Sequence, residues 1–176
     1  MRRLHTTVVA LCALAAAVSA PVEANAQTTG GRVVVLVRHA EKEAGDDPAL
    51  TPDGAARART LVHVLSGRRL EAVYVSEFRR TRDTGAPAAD AAGLTPIVVE
   101  ARDVEGLARA IRAGAAGTTL VVGHSNTVPA LISALGAPPV PEIPESAYDD
   151  LFVVTLSPQG GADVVHLKYG APTPPG

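Results

Sequence analysis

From Val33 onward, short apolar runs alternate with longer segments in which apolar residues recur at helical spacing. The run 33–37 is continuous, aliphatic and mostly β-branched, which is typical of a strand buried on both faces. The predicted strands are 33–37, 72–75, 96–99 and 119–122. The predicted helices are 51–65, 80–92, 104–113 and 127–135. Thr51 followed by Pro52 is typical of a helix start, with an N-cap and a proline in the first turn.

The rest of the chain is predicted to form a long loop and a hairpin, which completes the pattern that indicates the fold class. Residues 136–147 contain four prolines and are predicted to form an extended loop. Residues 152–156 and 162–167 alternate weakly around a Pro-Gln-Gly-Gly turn, which predicts a terminal hairpin. The alternation of strands and helices favours an α/β fold, here a three-layer sandwich with a mostly parallel sheet flanked by helices.

The residues that directly follow the strands carry the candidate chemistry. Ligands bind beyond the carboxyl ends of the strands in such sheets, so we expect these residues to meet at one edge. Arg38 and His39 follow the first strand, Arg80 follows the second, and His124 and Ser125 follow the fourth. Guanidinium groups match phosphate oxygens in pairs, and backbone N–H groups near Ser125 would add donors. The sequence therefore predicts an anion pocket.

Two imidazoles in such a pocket make nucleophilic chemistry feasible. A neutral His39 can attack phosphorus while the surrounding cations stabilise charge on the phosphoryl oxygens. The same cations are expected to lower the pKa of His39. We therefore expect activity to fall steeply once acid protonates His39.

The first 26 residues have the build of a secretory signal peptide. Arg2 and Arg3 precede an uncharged, alanine-rich stretch, and the Ala-Asn-Ala at 24–26 is typical of a cleavage site. The apolar stretch, 7–20, is shorter than the roughly 20 residues that span a bilayer, so we expect no stable membrane anchor after processing. Cleavage after Ala26 would leave one domain, 27–176, in the periplasm or outside the cell.

Composition excludes several other classes of protein. The formal net charge is −2 and only 3% of residues are aromatic, which argues against a nucleic-acid partner. The single cysteine, Cys12, lies within the predicted signal peptide. The processed chain would therefore have neither a thiol nucleophile nor a cysteine-ligated metal.

Four motifs occur in order along the chain. They are Val-Arg-His-Ala-Glu-Lys at 37–42, Leu-Thr-Pro-Asp-Gly at 50–54, Ser76 with Arg80, Thr81 and Thr84, and Val-Gly-His-Ser-Asn at 122–126. Together they resemble the histidine phosphatase superfamily, also called phosphoglycerate mutase-like. The resemblance extends from about 33 to 170 and is strongest to the compact branch, whose members have no long insertion after the third strand.

This resemblance implies a phosphatase that hydrolyses phosphomonoesters or phosphohistidine. His39 would become the phosphohistidine, and Arg38, Arg80 and His124 would bind and stabilise the phosphoryl group. The partner would be a small phosphorylated substrate or a phosphoprotein. The family needs no metal, and the resemblance implies no cofactor.

The proton donor to the leaving group stays open at this point. Mutases and larger phosphatases carry it on an insertion after the third strand, where this chain has only a short connection. The acidic residues there are Glu100, Asp103 and Glu105, and Glu100 and Asp103 are the candidate donors.

Two other functions also stay open. A non-catalytic domain that binds a phosphorylated ligand would keep the same pocket. A serine α/β-hydrolase would use Ser125 at a strand-to-helix turn, with Asp163 and His166 later in the chain. The hydrolase hypothesis leaves Arg38 and Arg80 without a role.

Overall fold

The computed structural model describes residues 31–173. Residues 1–30 and 174–176, which include the predicted signal peptide, lie outside the described part. Ten elements follow one another along the chain. They are β1 (Arg32–Arg38), α1 (Pro52–Leu65), β2 (Leu70–Ser76), α2 (Arg79–Ala92), β3 (Ile97–Val99), α3 (Val104–Ala113), β4 (Thr118–Gly123), α4 (Thr127–Ala134), β5 (Asp150–Leu156) and β6 (Ala162–Lys168).

The six strands form one mixed sheet in the order β3-β2-β4-β1-β5-β6. The pairs β2–β3, β2–β4 and β1–β4 are parallel, whereas β1–β5 and β5–β6 are antiparallel. The predicted terminal hairpin is therefore the outer part of the same sheet. The parallel part places the carboxyl ends of β1, β2 and β4 side by side, which brings the residues after these strands together.

Helices cover both faces of the sheet. Successive side chains of a strand point to opposite faces, so Val34 and Leu36 of β1 pack on one side and Val35 and Val37 on the other. The first side is covered by α3 and α4, and the second by α1 and α2. This arrangement confirms the three-layer α/β sandwich.

The helix α2 lies very close to the sheet at Gly85. A Cβ at this position would be 2.8 Å from Cγ1 of Val75, which is closer than side chains normally approach. Glycine therefore allows α2 to pack tightly on β2. The start of α2, with Arg80, is thereby held near the carboxyl ends of the strands.

All predicted elements within the described residues are present, and their ends agree with the sequence prediction to within two residues. The proline-rich segment 136–147 contains no helix or strand, as predicted. None of the helices in residues 31–173 is long and apolar enough to cross a membrane.

Candidate active site

His39 directly follows β1 and is almost completely buried, with 3% of its surface exposed. Its backbone N–H donates to the carbonyl of Gly123 at 2.9 Å, which continues the β1–β4 pairing into the loop. The ring nitrogen Nδ1 lies 2.8 Å from the carbonyl oxygen of Ala40, so Nδ1 carries the proton. The other nitrogen, Nε2, is then unprotonated and has the lone pair that a nucleophile needs.

The loop after His39 is fixed to two helices. The backbone N–H of Ala40 donates to Oγ1 of Thr84 on α2 at 3.0 Å. At the start of α1, the N–H of Thr51 donates to the carbonyl of Glu41 at 3.0 Å. A Cβ at Gly54 would lie only 2.1 Å from this carbonyl oxygen, so glycine is required for the contact. His39 is therefore held rigidly by its neighbours in the chain.

Arg57 of α1 also holds the loop that follows His39. Its Nε and Nη2 donate to both carboxylate oxygens of Glu41 at 2.7–3.1 Å. Its Nη1 and Nη2 also donate to the carbonyls of Tyr169 and Ala171, each at 2.8 Å. Glu41 is thus a structural partner of Arg57. The network links the loop after His39, residues 39–42, to the end of the described chain.

The guanidinium group of Arg38 forms the floor of the site and is 1% exposed. Its Nη1 donates to the carbonyls of Pro144, Glu145 and Ala147 at 2.8–3.0 Å. Its Nη2 donates to the carboxylate of Glu145 at 2.7 Å. The group also stacks on Tyr148, 4.3 Å from the ring centre. The proline-rich segment 136–147 therefore forms one wall of the site.

Arg80, in the first turn of α2, supplies the second cation. Its guanidinium carbon lies 4.3 Å from the centre of the Phe78 ring, and Nη2 is 3.5 Å from Nδ1 of His124. The Nε atoms of Arg80 and Arg38 are buried without a hydrogen-bond partner among residues 31–173. Unpaired buried donors are costly, and they are common where a site is built to receive an anion.

His124 follows β4 and faces His39, with the two ring centres 5.5 Å apart. Its Nε2 lies 3.0 Å from Oγ of Ser76, which in turn lies 2.9 Å from Oγ1 of Thr81. This chain of hydroxyl groups fixes the orientation of the His124 ring. The opposite edge of the ring, with Nδ1, faces Arg80, so the two side chains can contact the same bound anion.

Burial and positive charge make both imidazoles neutral. Burial lowers the pKa of His39 to about 3, with further lowering by Arg38, His124 and Arg80, against the hydrogen bond to Ala40. Burial, followed by the charge of Arg80, lowers the pKa of His124 to about 4. The lowered pKa predicted from the sequence is therefore present in the structure. His39 is therefore protonated only in strongly acidic solution.

These shifts predict how stability depends on pH. Between about pH 4 and 6.5, the unfolded chain binds a proton on each imidazole and the folded chain does not. The free energy of unfolding should therefore fall as the pH is lowered below about 6.5, with a slope that approaches about 1.4 kcal/mol per pH unit for each of the two histidines near pH 5. Urea unfolding at several pH values would measure this slope.

The double variant His39→Asn/His124→Asn is the control for this dependence. It removes both titrating groups, so its free energy of unfolding should change much less between pH 7 and 5. An equal slope in both proteins would show that other groups cause the loss of stability.

The two imidazoles and two guanidinium groups line an open pocket of about 550 Å³. Lys42 and Arg102 add two further cations to its lining, and Ser125 and Glu145 complete the polar part. The sequence-predicted residues Arg38, His39, Arg80, His124 and Ser125 are therefore brought together at one edge of the sheet. Within residues 31–173, no group of three or more histidine, cysteine or acidic side chains could hold a metal ion.

The two candidate proton donors do not line this pocket. Glu100 and Asp103 line a second, small cavity of about 30 Å³ that adjoins the pocket and shares His124 with it. Asp103 is also the N-cap of α3, where its carboxylate accepts from the N–H of Gly106 at 2.9 Å. Glu145 is instead the one acidic residue, among those that the structure describes, that lines the pocket of His39. Sequence reasoning missed it because its loop has no periodic pattern.

The serine-hydrolase arrangement is not assembled. Ser125 follows β4, whereas His166 lies on β6, three strands away and so roughly 14 Å distant across the sheet. The Nε2 of His166 is bonded to the carboxylate of Asp150 at 2.5 Å, and Oγ of Ser125 donates to Glu145. Among the hydrogen bonds of residues 31–173, Oγ of Ser125 therefore pairs with Glu145 and with no histidine, and the proposed partner His166 is out of reach.

Comparison with known proteins finds a family model that matches part of this site. The model of the histidine phosphatase superfamily (branch 1) matches residues 34–102, which include the loop of His39 and the start of α2 with Arg80. The resemblance found in the sequence is confirmed. A search of the curated proteins found no match.

Solved structures of histidine phosphatases share the fold. The protein histidine phosphatase SixA, complexed with tungstate, superposes with a TM-score of 0.62 at 23% identity, covering 77% of this chain and 96% of SixA. The mycobacterial glucosyl-3-phosphoglycerate phosphatase superposes with a TM-score of 0.59 at 16% identity, covering 80% of this chain and 99% of that protein. The histidine phosphatase fold thus accounts for nearly all of the described chain, and the comparisons support a phosphatase.

Proposed function

We propose that the chain hydrolyses phosphomonoesters, or phosphohistidine, through a covalent phosphohistidine on His39. The observation that carries the proposal is the buried, neutral imidazole of His39, with Nε2 unprotonated between two guanidinium groups and a second imidazole. The family match and the phosphatases of the same fold support this assignment.

In the first step, the lone pair on Nε2 of His39 forms a bond to phosphorus. The bond from phosphorus to the leaving group breaks, and its electron pair remains on the leaving atom, which takes up a proton. Arg38, Arg80 and His124 stabilise the charge on the phosphoryl oxygens. The rigid attachment of the nucleophile loop keeps Nε2 aligned for attack and reduces the entropic cost of the step.

In the second step, water attacks phosphorus and the P–N bond breaks. Its electron pair returns to Nε2, the water proton passes to a base or to solvent, and inorganic phosphate leaves. Arg38 and Arg80 hold the same oxygens in both steps.

The substrate is a small phosphorylated molecule or a phosphoprotein in this proposal. SixA is a protein histidine phosphatase, and the mycobacterial relative acts on glucosyl-3-phosphoglycerate. The open pocket, with Lys42 and Arg102 in its lining, has room for either class of leaving group. We further propose that the signal peptide directs the protein to the periplasm or out of the cell, where its substrates would be found.

Trapping of the covalent intermediate tests the proposal. The purified protein is mixed with a ³²P-labelled phosphomonoester, quenched at short times and treated with acid or alkali. We expect a protein-bound label that survives alkali, is lost in acid and maps to the peptide containing His39. Phosphate binding without label or turnover would favour the non-catalytic binding domain.

Ser125→Ala is the control for the hydrolase alternative. Because Oγ of Ser125 donates to Glu145 and is not paired with a histidine, this variant should still form the label and turn over the ester within about tenfold of the unchanged protein. An alkali-labile label that disappears in Ser125→Ala would establish serine as the nucleophile instead.

A further inference from the structure

Glu145 bridges two residues that line the pocket, Arg38 on its floor and Ser125 after β4. One carboxylate oxygen accepts from Nη2 of Arg38 on the floor at 2.7 Å, and the other accepts from Oγ of Ser125 at 2.6 Å. The side chain of Glu145 is 80% exposed, whereas that of Arg38 is 2% exposed. The carboxylate therefore extends from the open mouth of the pocket, where a leaving group must depart, to the cation on the floor.

We propose that Glu145 is the proton donor to the leaving group, released for this role when the substrate phosphate takes its place on Arg38. This inference rests on the proposed phosphatase function. It differs from the sequence expectation, because Glu145 follows β4 and α4 instead of the third strand.

The contacts of Arg38 explain how the carboxylate would change partners. Nη1 is already occupied by three carbonyl oxygens, so the phosphate must bind through the remaining donors, Nη2 and Nε. Nη2 is the nitrogen that Glu145 holds in the unliganded site. A phosphate at the Nε–Nη2 edge therefore competes with the Glu145 carboxylate for Nη2 and, in this proposal, displaces it.

The displaced carboxylate then lies beside a dianion instead of a guanidinium group. In the unliganded site, the Ser125 hydroxyl and Arg38 lower the pKa of Glu145 and keep it ionised. A neighbouring negative charge has the opposite effect and favours uptake of a proton. The other charged or titratable groups lining the pocket are Lys42, Arg80, Arg102, His39 and His124. Glu145 thus becomes an acid when the substrate is bound.

Glu145 donates a proton in the first step and regains one in the second. As the P–N bond to His39 forms and the bond to the leaving group breaks, the proton moves from the Glu145 carboxyl to the leaving atom. Glu145 is left as a carboxylate. In the second step it takes the proton of the attacking water, which restores the carboxyl group before phosphate leaves.

The experiment compares two esters that differ in their need for a proton. 4-Nitrophenyl phosphate has a stable anionic leaving group, whereas an alkyl phosphate must release a strongly basic alkoxide. In Glu145→Gln, kcat/KM for the alkyl ester should fall by about 10²-fold relative to kcat/KM for the nitrophenyl ester. The ratio of the two values cancels any general gain in anion affinity from removing the charge.

Two matched variants accompany Glu145→Gln. Glu142→Gln makes the same change three residues earlier on the same exposed loop, outside the pocket of His39. Glu100→Gln makes it at a sequence-predicted donor that lines the second, small cavity. In both variants the ratio for the two esters should stay within about twofold of the unchanged protein.

Each result decides the proposal. Equal losses for both esters in Glu145→Gln would show a positioning role and overturn proton donation, as would a selective loss in Glu100→Gln. Turnover of neither ester, and of no phosphohistidine peptide, by the unchanged protein would overturn the proposed function itself. Turnover of both esters by the unchanged protein, with a selective loss only in Glu145→Gln, is the expected result.

Discussion

His39→Asn should lower the turnover of 4-nitrophenyl phosphate by about 10³-fold or more, because it removes the atom proposed to accept the phosphoryl group. Asparagine is close to imidazole in size and keeps a polar group near the carbonyl of Ala40. Arg38, Arg80 and His124, the residues proposed to bind phosphate, remain in place. We therefore expect inorganic phosphate to raise the melting temperatures of this variant and of the unchanged protein alike.

His63→Asn is the matched control for this loss. It makes the same substitution at an exposed position in the last turn of α1. Turnover should change by less than about twofold, as is typical of a surface position. If His39→Asn kept a tenth or more of the activity, His39 would not be the nucleophile.

Arg57→Met should lower the free energy of unfolding by about 3 kcal/mol, because it leaves the Glu41 carboxylate and two carbonyl oxygens without their donor. Arg57 is 4% exposed and bonds to Glu41, Tyr169 and Ala171. Methionine replaces the aliphatic part of the side chain and so isolates the loss of the charged group. Urea unfolding at pH 7 would measure the difference.

Arg59→Met separates this network from a general effect of removing an arginine. Arg59 lies two residues further along α1 and is exposed. Its substitution should change the free energy of unfolding by less than about 0.5 kcal/mol. A loss of stability in Arg59→Met comparable to that in Arg57→Met would contradict the assigned role of the buried network.

The fold was predictable because its causes are local. The apolar run of β1, the Thr51 N-cap and the glycine after α2 each define an element from neighbouring residues alone. The meeting of His39, Arg80 and His124 was also predictable, since parallel strands place their carboxyl ends at one edge. These parts of the site depend on periodicity and topology, which the sequence displays directly.

The contacts of residues 144–148 with Arg38 could not be predicted in the same way. The backbone carbonyls of this segment and the Glu145 side chain reach Arg38 across more than 100 positions in sequence. A proline-rich loop has no repeating pattern to show which of its residues face inward. The same holds for the bonds from Arg57 to the carbonyls of Tyr169 and Ala171, because backbone acceptors are identical at every position.

The bonds from Arg57 to residues 169–171 also affect the order of events during synthesis. β1 and the loop after His39 leave the ribosome more than 100 residues before the carbonyls that complete the Arg57 network. Contacts between such distant parts of a chain form late in folding, since the intervening loop must close first. A growing chain therefore cannot complete the Arg57 network until residues 169–171 have been synthesised, so the loop after His39 gains its full support only late in folding.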